Sequence, residues 1–306
     1  GMHVENTKWN HWLGILCVNF ATLAWASNMV VWRLLKDFIG PVTLASSRFI
    51  IASVIFTLLL RRQPEADRKV GGDFRWLMGM ALAGVVLFSP ALYLGLRYTS
   101  AINGTLINGI GPLMTGAMAA FFLNQPMSRR QVTGAIIGFA GVVYLITGGS
   151  FTFWRTAQFN VGDLIVLLSV AIWGVYSVLG SVVMRHRSPV SATALSTMLG
   201  LPILLVLSFW ELQSFPMVVD RKLLLGIIYL GIVPAAGGFY AWNAGVARLG
   251  PGGAMVFYNM LPLYGALLGT TLLGEPLGAA HGVGGFLIIS GSLWAARRPM
   301  SSKNDR

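Results

Sequence analysis

Ten runs of predominantly apolar residues, each close to the length of a membrane-crossing helix, take up nearly all of this 306-residue chain. An α-helix rises about 1.5 Å per residue and needs roughly 20 apolar residues to cross ~30 Å of hydrocarbon. Runs of that length fall near 12–32, 41–60, 75–96, 101–123, 131–147, 161–184, 190–211, 222–247, 251–273 and 278–296. Hydrophobic residues make up 55% of the chain and charged residues 10%, with a mean hydropathy of +0.70, more than a soluble core would bury. A transmembrane β-barrel would show alternating segments of about 10 residues, whereas these runs are long and apolar on every face. The pattern predicts an all-α polytopic membrane protein of ten transmembrane helices. The polar start as far as His11 runs straight into the first span, without the pattern of a cleavable leader. Cys17, the single cysteine, lies inside that span and has no partner for an intramolecular disulfide.

The net charge of +12 is a topology signal before it is a binding signal. With the N-terminus in the cytoplasm, fifteen Lys and Arg residues fall on that side and six on the other, and Arg48 lies inside a span. The positive-inside rule then places both termini in the cytoplasm. Nucleic-acid binding would need a soluble basic domain, and the longest polar loop, Arg61–Phe74, is too short to form one.

The chain also repeats itself. At an offset of 150 residues Gly95 pairs with Gly245, Pro112-Leu113 with Pro262-Leu263, Pro126 with Pro276, Gly134 with Gly284 and Gly141 with Gly291; at a slightly different offset Ala24-Trp25-Ala26 pairs with Ile172-Trp173-Gly174. The first repeat is expected at 12–147, a polar linker at 148–160 and the second repeat at 161–296. Five spans per copy is an odd number, so the second copy enters the membrane inverted. Inverted repeats are an architecture of secondary transporters, which hold the solute near the midplane where the halves meet.

Stretches in four spans carry a resemblance to a known family: Leu23-Ala24-Trp25-Ala26-Ser27-Asn28 in the first span, Ser47-Arg48-Phe49 in the second, Tyr98-Thr99-Ser100-Ala101 with Pro112-Leu113 in the fourth, and Leu273-Gly274-Glu275-Pro276 at the end of the ninth. In that order and spacing the chain, over about residues 12 to 296, resembles the ten-helix metabolite-exporter family of the drug/metabolite transporter superfamily, and within it the branch exporting aromatic and other amino acids. The resemblance implies an inner-membrane, multi-pass exporter of small solutes that works without a cofactor. One departure is Gln125-Pro126, which stands where the second half has Glu275-Pro276.

Every one of the ten acidic residues falls at a span end or in a loop, and the four histidines lie outside spans or near a helix start. Ion coupling usually leaves an ionisable group at depth, so a facilitator is expected. There is no metal constellation, no phosphate loop and no acid/base pair suited to catalysis, so no cofactor, metal or enzymatic activity is expected. Arg48 is the one charge well inside a span; it suits a carboxylate-bearing solute, or else a structural role against a backbone break or a neighbouring helix.

Helix breakers are expected to shape the cavity: Asn103-Gly104, Asn108-Gly109 and Gly111-Pro112 in the fourth span, and Gly252-Gly253 with Leu261-Pro262 in the ninth. Around them lie candidate solute contacts: Trp25 and Asn28, Tyr93, Asn103 and Asn108, Trp173 and Tyr176, Tyr240, Trp242 and Asn243, and Tyr258 and Asn259. Core packing and interhelical hydrogen bonding are the competing roles for these rings and amides. Trp25 and Trp173, deep in their spans and related by the repeat, are read as opposite walls of the site. The glycines of the fifth and tenth spans, Gly134, Gly138 and Gly141 with Gly282, Gly284, Gly285 and Gly291, read as a packing scaffold away from the cavity, with a homodimer seam as the alternative. The chain reads as an exporter of small amino acids or related metabolites by alternating access, a monomer in the lipid bilayer with no nucleic-acid partner. The alternatives are a carrier of phosphorylated or nucleotide-sugar metabolites, or a membrane-embedded enzyme.

Overall fold

A computed structural model describes residues 2–98, 107–150, 152–156, 161–273 and 278–296. Asn103, Gly104, the stretch Thr99–Ala101 and the Gly274-Glu275-Pro276 motif lie outside the described residues. Among those described the chain is helical throughout, with no strand. Helix α1 is Met2–Leu35, α2 Pro41–Leu60, α3 Phe74–Met80, α4 Phe88–Tyr98, α5 Gly111–Leu123, α6 Arg129–Thr147, α7 Val161–Val183, α8 Pro189–Ser214, α9 Arg221–Leu230, α10 Phe239–Met255, α11 Met260–Leu273 and α12 Ala279–Ala296. One-turn helices at Glu65–Arg68 and Thr152–Thr156 lie in connections.

Six helical stretches are long and apolar enough to cross a membrane among the described residues, and Gly111–Leu123 and Ala279–Ala295 are shorter apolar helices. The difference from the ten expected runs has local causes. The stretch Arg221–Leu272 is continuous in helical pattern over 52 residues, because the chain passes from α10 to α11 through the 3₁₀ segment Val256–Asn259 rather than through an open loop. Its real interruption is Gly250, at φ 76° and ψ 162°, a conformation that costs glycine little.

Large apolar side chains cover the outside as well as the core, and many hydroxyls and amides are turned inward. Phe121, Phe122, Phe209, Trp210 and Phe286 are exposed, while Thr22, Ser177, Thr193, Ser196 and Asn243 are fully buried. An apolar surface of this extent suits a hydrocarbon solvent.

Local chemistry explains the helix boundaries. Ser128 and Gln131 form a reciprocal capping box at the start of α6, which ends at Gly148 with φ 65°. Pro41 and Pro189 occupy the first turns of α2 and α8, where the missing N–H costs nothing. The start of α2 is capped from a distant helix: Glu211 on α8 accepts hydrogen bonds from Val42 N at 3.1 Å, Thr43 N at 2.8 Å and Thr43 Oγ1 at 2.9 Å. At the start of α8, Ser188 donates to Gln63 Oε1 at 3.2 Å.

One expectation about breaks is corrected. Pro112 lies in the first turn of α5, just after the turn at residues 109 and 110, and Pro262 in the first turn of α11, just after the 3₁₀ segment, so each opens a new helix within its apolar run. Gly252 and Gly253 lie inside a regular helix, and the departure falls at Gly250. The larger backbone irregularities are two π-helical segments, Ala81–Leu87 joining α3 to α4 and Gly231–Gly238 joining α9 to α10, which begin 150 residues apart. The second contains Pro234, and Pro90 follows closely after the first; neither residue has an N–H to donate to the ladder.

Packing pairs α1 with α10 and α11, α7 with α3, α4 and α5, α2 with α8, and α6 with α12. Close approach depends on glycine. A Cβ on Gly95 would stand 2.7 Å from Val166 Cγ2 and 3.1 Å from Gly162 O; a Cβ on Gly245 would stand 2.3 Å from Val18 Cγ1 and 3.2 Å from Gly14 O. Between α6 and α12, a Cβ on Gly134 would stand 2.3 Å from Gly291 O and one on Gly141 2.8 Å from Gly284 O.

On the loop side, Arg187 is a structural residue that a simple charge count leaves hidden. It is buried, and donates to Lys69 O at 2.6 Å, Val70 O at 3.0 Å, Ser191 Oγ at 3.0 Å and Asp73 Oδ2 at 3.0 Å, tying the 61–73 connection to the start of α8. His186 Nε2 lies 2.7 Å from the same Asp73 oxygen. Partial burial pushes the Asp73 carboxyl up, but the hydrogen bonds and charges of His186 and Arg187 outweigh it and hold the group below its ordinary value.

Candidate functional site

Helices α1, α2, α4, α7, α10 and the 3₁₀ segment before α11 converge on one cavity, whose empty volume is about 440 Å³ with its mouth included. Its walls divide by chemistry. Asn28, Arg48, Ser89 and Tyr93 form a polar end, and Trp25, Phe88, Trp173, Phe239 and Tyr258 form an aromatic floor and sides.

Arg48 sets the electrostatics. It lies seven residues into α2, only 4% exposed, so its guanidinium does not reach water along the helix. Nη1 donates to Asn28 Oδ1 at 3.3 Å and Nη2 to Ser89 Oγ at 3.0 Å, while Nε has no partner. Asn28 Nδ2 in turn donates to Tyr93 Oη at 3.1 Å, and the Tyr93 ring stacks on Trp32 at 4.6 Å. The guanidinium carbon also stands 5.1 Å from the centre of the Phe49 ring. Among the described residues the ion pairs are Lys69 with Glu65, and Asp73 with His186 and Arg187; none involves Arg48. A buried cation held only by neutral acceptors carries most of its desolvation cost uncompensated. A planar carboxylate entering the cavity would supply that compensation by charge-assisted hydrogen bonds.

The aromatic part is closed on itself. Trp25 meets Trp173 edge-to-face, with ring centres 5.0 Å apart and planes at 88°, so the two rings are in contact rather than facing each other across an open site. Trp25 Nε1 donates to Pro234 O at 3.1 Å, a carbonyl within the second π segment. Trp173 also packs against Phe88 at 4.8 Å and stacks on Tyr176 at 4.8 Å, and its own Nε1 is buried without a partner.

One turn further along α7 comes a second polar cluster, sealed from the cavity. Asn243 Nδ2 donates to Tyr176 Oη at 2.7 Å and to Thr193 Oγ1 at 2.8 Å, and Trp242 Nε1 donates to Ser177 Oγ at 3.0 Å. Tyr176, Trp242 and Asn243 are fully buried and do not line the open space.

Of the candidates picked from sequence, Trp25, Asn28, Arg48, Tyr93, Trp173 and Tyr258 line the cavity. Others do not. Tyr240 is 38% exposed on the outside of α10 and does not line the cavity. Asn259 is buried with neither amide atom partnered, and its side chain faces Gly138 of α6 rather than the cavity. Asn108 lies outside the lining, with a buried Oδ1 that has no partner. Gly111 packs near Met255 and Val170, and Asn103 lies outside the described residues. Sequence reasoning missed Met29, Phe88, Ser89, Leu92, Phe239 and Leu261. Ser89 was within reach, because it sits four residues before Tyr93 on one helix face.

Known proteins resemble this chain over most of its length. The model of the EamA-like transporter family matches this chain twice, over residues 12–147 and 160–297. The chain is 27% identical over 265 residues to the uncharacterized transporter YyaM of Bacillus subtilis, covering 85% of each chain. It is 24% identical over 294 residues to a probable terminal-alkyne amino-acid exporter of Streptantibioticus cattleyicolor, covering 93% of this chain and 95% of that one. A protein of known crystal structure superposes with a TM-score of 0.73 at 22% identity, over 92% of this chain and 96% of the other, which shows a shared fold.

Proposed function

Since this chain belongs to the EamA-like transporter family, and is therefore a multi-pass membrane transporter, we propose that it exports small amino acids or related carboxylate-bearing metabolites by alternating access. The observation that carries the reading is Arg48, a buried guanidinium at the wall of the cavity with a free Nε–H and no acidic partner among the described residues. A carboxylate on the solute completes its coordination, and the surrounding rings receive the apolar remainder. The amino-acid exporter from Streptantibioticus cattleyicolor adds support for this solute class. A phosphorylated solute suits the cavity less well, because a dianion calls for more cations than Arg48 alone.

The proposed architecture is ten helices in two inverted repeats, 12–147 and 161–296, joined by 148–160, with both termini in the cytoplasm of an inner-membrane monomer. Support comes from the double family match, from the π segments that begin 150 residues apart, and from the glycine contacts. Gly95 against Gly162 and Val166 repeats Gly245 against Gly14 and Val18, with the two halves exchanged. On this topology Asn28, Arg48, Ser89 and Tyr93 lie in the external half of the bilayer, and the Tyr176–Asn243 cluster seals the cytoplasmic half.

Counterflow in proteoliposomes tests the reading: purified protein preloaded with one amino acid takes up labelled amino acids from outside, and uptake requires the protein. Absence of flux for a full panel of amino acids overturns the solute class, and hydrolysis or group transfer on a candidate solute overturns the carrier reading.

A further inference from the structure

The hydrogen bond at the open cavity has a twin. Asn28 on α1 donates to Tyr93 on α4 at 3.1 Å; Asn243 on α10 donates to Tyr176 on α7 at 2.7 Å. Asn28 and Tyr176 stand 148 residues apart, the offset of Trp25 and Trp173, and Tyr93 and Asn243 stand 150 apart, the offset of Gly95 and Gly245. The same asparagine–tyrosine bond therefore occurs twice, with the two residues exchanged between equivalent helices.

The second pair differs from the first in two ways. It is fully buried, whereas Asn28 and Tyr93 line the cavity. The residue 148 positions after Arg48 is Ser196, so the second cluster has a hydroxyl where the first has its cation. The Tyr176 hydroxyl also meets Ser196. Thr193, Ser196 and Thr197 share one face of α8 by their three- and four-residue spacing. Several polar atoms here are buried without a partner, namely Asn243 Oδ1, Trp173 Nε1 and Thr197 Oγ1. Buried groups of this kind normally have partners, and three of them on the bonded asparagine and on the two helices packed about it mark a place that is wetted or occupied in another state.

We propose that Tyr176, Asn243 and the α8 hydroxyls form a second solute subsite, sealed in this structure and reached from the opposite face of the membrane when the Tyr176–Asn243 bond opens. It takes the uncharged hydrogen-bonding part of a solute, since it offers amide, phenol, indole and hydroxyl groups and no cation. Trp173 belongs to both subsites, one edge at the open cavity and one face on Tyr176. Recognition of the solute's carboxylate is thus one-sided: Arg48 supplies it from one face, and the other face holds the solute by neutral contacts. The inference rests on the carrier reading for its solute, but the opening of the Tyr176–Asn243 bond can be tested without one.

The full-length protein carrying Cys17→Ser, which removes the only native thiol, receives the reporter Ser196→Cys and is reconstituted in liposomes. A membrane-impermeant maleimide is applied from the cytoplasmic face. Adding Tyr176→Phe, which keeps the ring and removes only the hydroxyl, is expected to raise the labelling rate several-fold; Tyr93→Phe is expected to leave it unchanged or lower it. An unchanged rate in folded Tyr176→Phe protein, or an equal rise with Tyr93→Phe, overturns the proposal. With a transported amino acid, Tyr176→Phe is expected to shift the KM measured from the cytoplasmic face several-fold and to spare the external KM. Equal shifts on both faces overturn the second subsite. If no amino acid is carried, the carrier's assigned solute fails, while the labelling result stands or falls independently.

Discussion

Replacing Arg48 with methionine separates a solute-binding role from a structural one, because the two roles predict opposite patterns. In the folded protein Arg48 donates to Asn28 Oδ1 and Ser89 Oγ and meets no carboxylate among the described residues. Methionine fills similar volume without charge. Leaving Asn28 Oδ1 without its donor costs about 1–3 kcal/mol, while Ser89 can turn its hydroxyl elsewhere and Asn28 keeps Tyr93. Against that cost stands relief from burying an unpaired cation, a change that is neutral or stabilising by about 1–4 kcal/mol when apolar groups fill the space. Thermal stability should therefore stay near that of the native protein or rise. Solute binding should fall: losing a charge-assisted hydrogen bond of about 1.5–3 kcal/mol weakens affinity about 10- to 150-fold. Arg48→Lys keeps the charge but not the planar fork, and should fall between the two. The assay pairs the external KM in counterflow with the melting temperature in detergent. A KM within about twofold of the native value, together with a melting temperature several degrees lower, would refute the reasoning and make Arg48 a structural cation.

Gly134→Ala drives a methyl group to 2.3 Å from Gly291 O, so the α6–α12 seam must part; a loss of about 1–3 kcal/mol is expected, read as a lower melting temperature with solute KM unchanged. Asp73→Asn removes the anion shared by His186 and Arg187 and should cost about 1.5–3 kcal/mol at neutral pH. Because the folded protein holds the Asp73 carboxyl below its ordinary value, the native contribution is present above about pH 4 and is lost as pH falls through the depressed value; melting curves of native and Asp73→Asn protein should converge in that acid range. Among the described residues no carboxylate lines the cavity, so an imposed pH gradient should not drive uphill accumulation of the solute; accumulation that survives Glu275→Gln would show that another group relays protons.

Much of this protein was legible in its sequence because hydropathy is a local quantity. A run of apolar residues must be buried in lipid or protein wherever it ends up, so the all-helical membrane class followed from the chain, and Arg48 and Trp173 are buried. The pairing of Gly95 with Gly245 was visible as letters, and close packing against Gly162 and Gly14 gave it a physical meaning. Arg187 shows the limit of this kind of reading. As a letter it is one more basic residue in a loop, and its hydrogen bonds to the carbonyls of Lys69 and Val70 exist only because two distant connections meet.

Which face a residue turns is decided by helix phase, and phase here was altered by features that leave little trace in the letters. Each extra residue in a π segment rotates everything after it by about 100°, and such segments precede both Tyr93 and Asn243. Tyr240 and Asn243 follow the same segment and look alike as candidates, yet neighbouring helices cover only the second, which is fully buried against Tyr176 and Thr193. Sequence by itself determined what must lie in the membrane and which residues were costly to leave there. Tertiary structure decided which of those residues met, because a hydrogen bond such as Asn28 to Tyr93 depends on two helices arriving in register across 65 residues of chain.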